Sequence, residues 1–188
     1  MESYLTSVIK QFEYYKSLGD KTFNQLSFDE MLWQSGEDAN SISILAKHIV
    51  GNMLSRWTNF LTEDGEKSWR NRDDEFINNF TSKEDVIAAW ESGWFCLFKA
   101  IKPLKIEDLE RTIYIRNGKH TVIEAINRQL MHYAYHIGQI VFLGKLLKGE
   151  DWKSLSIAKG DSKAYNKDKF NSDKEHGHLL MIFKYIKA

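Results

Sequence analysis

Residues 121–149 read TVIEAINRQLMHYAYHIGQIVFLGKLLKG, the longest stretch of this chain with one unbroken helical period. Val122, Ala125, Ile126, Gln129, Leu130, Tyr133, Ile137, Ile140, Val141 and Gly144 fall on one broad face, the signature of a helix packed on a core. Thr121-x-x-Glu124 has the form of a capping box at its start, and Gly149 stops it. The same inward face carries His132 and His136. Residues four apart on an α-helix stand one above the other, about 5–6 Å between Cβ atoms, so two imidazoles at this spacing can grip one ion.

Three further segments share the helical period. Leu5, Val8, Ile9, Phe12 and Tyr15 form the stripe of a first helix over about 2–19, with Gly19-Asp20 as its stop. Residues 21–40 read as a short helical turn followed by loop. Asn40 or Ser41 caps a second helix to about Leu61, whose buried side runs from Ile42 through Ile49, Met53 and Trp57 to Phe60, with His48 on the margin of the stripe. Ser82-x-x-Asp85 opens a third to about Lys102, with Pro103 just beyond. Between the second and third helices, residues 62–81 are dense in charge and have no period, which predicts a long surface connection of the kind that often carries function.

The expected fold is therefore all-α: a four-helix bundle over 1–150, with a long loop between helices 2 and 3 and an extended C-terminal arm. Residues 151–188 form that arm and a tail, packed on the bundle or on a partner. The closing apolar piece LLMIFKYI is too short to assign to helix or strand.

Composition narrows the function. Twenty-six basic residues balance 26 acidic ones, so no electrostatic footprint for nucleic acid or an anionic membrane exists. No apolar run reaches the 18 residues of a membrane span. The opening MESYLTSVIKQFEYY lacks the basic and apolar regions of a secretory signal, which predicts a cytoplasmic protein. The single cysteine, Cys96 in WFCLF, cannot form an internal disulfide and reads as a small buried hydrophobe rather than a nucleophile.

Chemistry rests on the histidines. If the second helix delivers His48 at the level of the pair, three ring nitrogens surround one ion and leave its far side open, the pattern of a catalytic metal site. The alternative is metal-free histidines in the core, each needing partners for its buried nitrogens. HExxH is not present, since Tyr133, Ala134 and Tyr135 separate the pair, and this removes the zincin proteases. His120 at a loop-to-helix junction and the tail residues His176 and His178 lack a preorganised setting. Asn52 and Arg56 follow His48 on one ridge. With Arg72 of the loop they are candidate substrate-binding residues, Arg56 as an anion clamp. Gln129 and Gln139, one turn from the histidines, are candidate partners for the ring nitrogens or ordinary polar residues of the helix edge. Trp57, Trp69, Trp90 and Trp94 read as core and loop anchors.

The order of NSISILAKHIVGNMLSRW, with one histidine, and MHYAYHIGQIVFLGKLL, with two, resembles the DinB/YfiT-like superfamily of metal-binding four-helix bundles. The runs WTNFLTEDGEKSWRNRDDEF and DWKSLSIAKGDSKAYN resemble a functionally unassigned branch of it, although Ala158 stands where that branch has proline. The resemblance implies a divalent metal, nickel or zinc, held by His48, His132 and His136. It also implies kinship with transferases that use low-molecular-weight thiols such as bacillithiol, and with metal-dependent hydrolases. The expectation is a homodimeric, metal-dependent enzyme acting on a small-molecule substrate, with thiol transfer ahead of hydrolysis. The competing expectation is a non-catalytic, metal-free helical-bundle protein of a stress response, acting by association.

Overall fold

The computed structural model describes residues 2–171 and residue 174. His176, His178 and LLMIFKYI lie outside the described residues. The chain is mostly helical: α1 (Glu2–Gln25), α2 (Phe28–Leu32), α3 (Ile42–Trp57), α4 (Lys83–Ile101), α5 (Val122–Lys148) and α6 (Ser162–Phe170), with one antiparallel pair, β1 (Thr112–Ile115) and β2 (Gly118–Thr121). Long helices α1, α3, α4 and α5 share one core, α3 lying along α4, α1 along α5, and α3 also meeting α5. At its centre Trp90, Trp94, Tyr133, Phe12 and Phe23 are fully buried and meet largely edge to face, the arrangement that aromatic quadrupoles favour. Among the described residues no helix is long and apolar enough to cross a membrane.

Local chemistry sets the helix ends. Ser41 and Ser82 accept hydrogen bonds from the backbone N–H three residues on, and Thr121 with Glu124 closes a full capping box at the start of α5. Gly149, at φ 53°, ends α5 as its sequence predicts.

Four expectations need correction. Helix α1 does not stop at Gly19; it runs on to Gln25, and Thr22, Phe23 and Leu26 continue the buried stripe. Gly19 is there for clearance: a Cβ on it would lie 2.4 Å from the indole of Trp90. Helix α3 ends at Trp57 rather than near Leu61, because Asn59 turns the backbone to positive φ, leaving Phe60 to be buried from the loop. The connection between α4 and α5 contains the β-hairpin, so the chain is not wholly helical. Its two-residue turn, Arg116-Asn117, has φ of 52° and 59°, the left-handed pair that matches the twist of the flanking strands. Finally, the arm is helical over Ser162–Phe170 rather than extended throughout. Before that helix it is tied to α1 by reciprocal bonds between Gln25 and the Lys153 backbone, 2.8 and 3.2 Å.

The charged loop 62–81 is not a solvated excursion. Asp64 accepts from the backbone N–H groups of Arg116 and Asn117 at 2.8 and 2.7 Å, and the Gly65 N–H donates to the Tyr114 carbonyl at 2.8 Å. The loop is thereby fastened to the hairpin, while Lys67, Arg70 and Glu75 turn their side chains inward.

Candidate metal centre

His48 on α3 and His132 and His136 on α5 come together. Their ligand atoms all lie within 4.8 Å of one another. His132 Nε2 stands 3.3 Å from His48 Nε2 and 3.1 Å from His136 Nε2. Two nitrogens about 2.05 Å from one tetrahedrally coordinated ion are about 3.3 Å apart, so these two spacings are those of ligands to one cation.

The far sides of the rings decide what the near sides can do. His48 Nδ1 lies 2.9 Å from Glu75 Oε2, and a carboxylate can only accept, so Nδ1 carries the hydrogen. His136 Nδ1 lies 2.8 Å from Gln139 Oε1, again an acceptor. In the neutral rings both Nε2 atoms therefore present lone pairs toward His132 Nε2. One shared hydrogen cannot satisfy three facing nitrogens, whereas one cation can. Burial first, then the positive charge of His136, His48, Arg56 and Arg70, pushes the pKa of His132 down to about 3. Burial also lowers His136. Both rings are thus held in the neutral, ligating form. His132 Nδ1 is buried without a partner among the described residues.

Glu75 is the residue that sequence reasoning missed. It is 5% exposed, and Arg70 grips it through two bonds, Nε to Oε1 at 2.7 Å and Nη2 to Oε2 at 2.9 Å. Burial opposes its ionisation, but the hydrogen bonds from His48 and Arg70 prevail and hold its carboxyl below the usual range. A ring nitrogen backed by a carboxylate is the arrangement that fixes a metal-binding histidine's tautomer and orientation. Gly51, three residues after His48, admits this carboxylate to the helix: a Cβ there would lie 2.4 Å from Glu75 Oε1. A glycine inside a helix, three residues after a candidate ligand, was the available signal.

The mouth of the cluster is aromatic. Phe76 stacks on His48 with ring centres 5.0 Å apart, Tyr135 stands edge-on to His136 at 4.9 Å, and the Arg72 guanidinium lies over Phe76 at 5.8 Å. Arg72 is exposed at this rim. Asn52 and Arg56, predicted beside it, are turned inward instead. Asn52 Oδ1 accepts from the Tyr133 hydroxyl at 3.0 Å. Arg56 Nη1 donates to the Gly65 carbonyl and to Glu66, bracing the loop. Gln139 meets its histidine, whereas Gln129 is buried with Oε1 unpartnered among the described residues and makes no bond to the cluster. His120 lies in β2 opposite Ile113, outside the cluster, and Cys96 is half-buried beside Thr58.

A three-histidine cluster, one ring buried and two half-buried, with a carboxylate behind one ring and an amide behind another, is the feature by which this helical chain can be classed. The chain belongs to the family DUF1572, described as a protein of unknown function, whose model matches residues 1–161. No curated protein and no solved structure matches it.

Proposed function

We propose that the protein is a divalent-metal-dependent transferase of the DinB/YfiT-like superfamily, its long helices forming a four-helix bundle. His48, His132 and His136 would hold one nickel- or zinc-type ion, with a low-molecular-weight thiol such as bacillithiol as co-substrate. The reading is carried by one observation: three Nε2 atoms turn toward a common point while two of the opposite Nδ1 atoms are bound to acceptors. When bound, such an ion supplies a Lewis acid that lowers the pKa of a thiol or water at the open side.

The chain's own residues account for the rest. Glu75 and Gln139 fix the two outer rings, and Arg70 neutralises Glu75, so the carboxylate does not dilute the charge of a cation held by neutral imidazoles. Because Glu75 is spent on His48 and Arg70, it is not free to take a proton from water. A nucleophile that ionises easily suits this site better, and a thiol's ordinary pKa is about 8.5. The Phe76 and Tyr135 rings, with Arg72 above Phe76, favour an apolar electrophile that carries a negative group.

The test uses untagged chain purified without added metal. About one divalent ion per chain is expected, as for a mononuclear site, together with metal-dependent consumption of bacillithiol by an arylating electrophile; His132→Ala loses both. Ester turnover without thiol would replace transfer by hydrolysis, and a metal-free chain would return the cluster to a structural role.

A further inference from the structure

Two of the three rings have an acceptor behind them, Glu75 at His48 and Gln139 at His136. His132 has none. Its Nε2 faces the other two Nε2 atoms at 3.3 and 3.1 Å. When that nitrogen serves as a ligand, the hydrogen of the neutral ring sits on Nδ1, and Nδ1 is buried without a partner among the described residues. The matching atom stands three residues earlier on the same helix. Gln129 is 2% exposed, and its Oε1, an acceptor, is likewise buried and unpartnered.

A donor and an acceptor stranded this close together call for a link, because a buried polar group without a partner is costly. Residues three apart are neighbours on a helix, and a helical side chain leans back over the preceding turn, which brings His132 toward Gln129. Other groups nearby cannot serve. Asn52 Oδ1 and Trp57 Nε1 are committed to the Tyr133 hydroxyl. Arg56 Nε and Trp94 Nε1 are also buried and unpartnered among the described residues, but both are donors, as Nδ1–H is. We propose that one buried water joins the pair, accepting from His132 Nδ1–H and donating to Gln129 Oε1, so that Gln129 is the positioning residue of the third ring. Buried waters of this kind bridge polar groups that would otherwise be unsatisfied. Without Gln129 the hydrogen is free to move to Nε2, where it blocks the nitrogen that faces the ion. The inference rests on the reading of the three rings as ligands to one cation.

The test uses the full chain with isotope-labelled histidine. In the metal-free protein, long-range proton–nitrogen correlation spectra read which nitrogen of His132 carries the hydrogen. The share of the Nδ1–H form should fall in Gln129→Leu, which keeps the volume but removes the acceptor, and recover in Gln129→Glu, which restores an acceptor. Zn²⁺ affinity, measured by competition with a chelator, should fall about 10-fold in Gln129→Leu and recover in Gln129→Glu. A crystal structure of the parent chain should show one water within hydrogen-bond reach of both atoms. A His132 tautomer that ignores Gln129→Leu, a folded Gln129→Glu that restores nothing, or a crystal without that water would each overturn the inference. A chain that binds no Zn²⁺, but whose His132 tautomer still follows residue 129, would overturn the metal reading and leave the pairing of Gln129 with His132 standing.

Discussion

His48 and Glu75 meet at 2.9 Å although 27 residues separate them, and they are respectively 5% exposed and 5% exposed. One lies in a periodic helix and the other in a loop without period, so the contact joins the ordered and irregular parts of the candidate site. Glu75→Ala should lower metal affinity by about 10–100-fold, as loss of a carboxylate behind a ligating histidine does. It should also cost about 1–3 kcal/mol of stability, because Arg70 loses its two-bond partner and keeps only its 3.4 Å contact with Glu66. Competition with a chelator and thermal denaturation of the same variant read the two effects.

Gly51→Ala attacks the same contact from the helix. The added Cβ would meet the Glu75 carboxylate, which Arg70 and His48 prevent from moving aside. The substitution should destabilise the parent chain yet become neutral or stabilising in the Glu75→Ala background, where only the helical preference for alanine, about 0.5–1 kcal/mol, remains. Equal effects in both backgrounds would show that Gly51 serves another purpose.

Tyr133 is fully buried, accepts from Trp57 Nε1 at 3.1 Å and donates to Asn52 Oδ1 at 3.0 Å. Burial pushes its hydroxyl above the ordinary range, so it stays protonated and keeps donating. Tyr133→Phe leaves a donor and an acceptor stranded and should cost on the order of 2 kcal/mol. Metal content should be unchanged, despite the adjacent His132. Denaturant titration alongside metal analysis separates these.

Asp64 carries the pH dependence of the loop-to-hairpin junction. Burial opposes its ionisation, but the backbone N–H groups of Glu66, Asn117 and Arg116 hold its pKa below the usual range. Its contribution is therefore fully present above the ordinary aspartate value, about 3.9, and is lost as pH falls through the lower folded value. The amide resonances of Arg116 and Asn117 should titrate with a midpoint below that ordinary value, and Asp64→Asn should abolish the titration.

Periodicity carried the reading wherever one face of a helix is buried. It located α5, α3 and α4 to within a few residues, and it put His132 and His136 on one face with His48 on a separate helix. It failed where a residue's reason is tertiary. Gly19 looks like a stop because its clearance for Trp90 cannot be read along the chain. The charges of 62–81 look solvated because their partners, Arg116 and Tyr114 of the hairpin and Arg56 and His48 of α3, are far away in sequence. The hairpin was legible only in Asn117-Gly118, which sits one residue past the centre of the Arg116-Asn117 turn, and in two buried alternating positions, Ile113 and Ile115, between two strands of four residues each. Arg56 shares a ridge with His48, but a backbone carbonyl of the loop drew its guanidinium inward.

Thr121 belongs to two elements at once: it pairs with Thr112 at the end of β2 and caps α5. The sheet therefore sets the rotational phase of the helix. One residue inserted between Thr121 and His132 would swing both α5 histidines through 100° about the axis, carrying them away from His48 without altering any residue of the cluster. Eleven positions of spacing thus constrain the chemistry as firmly as the three imidazoles do.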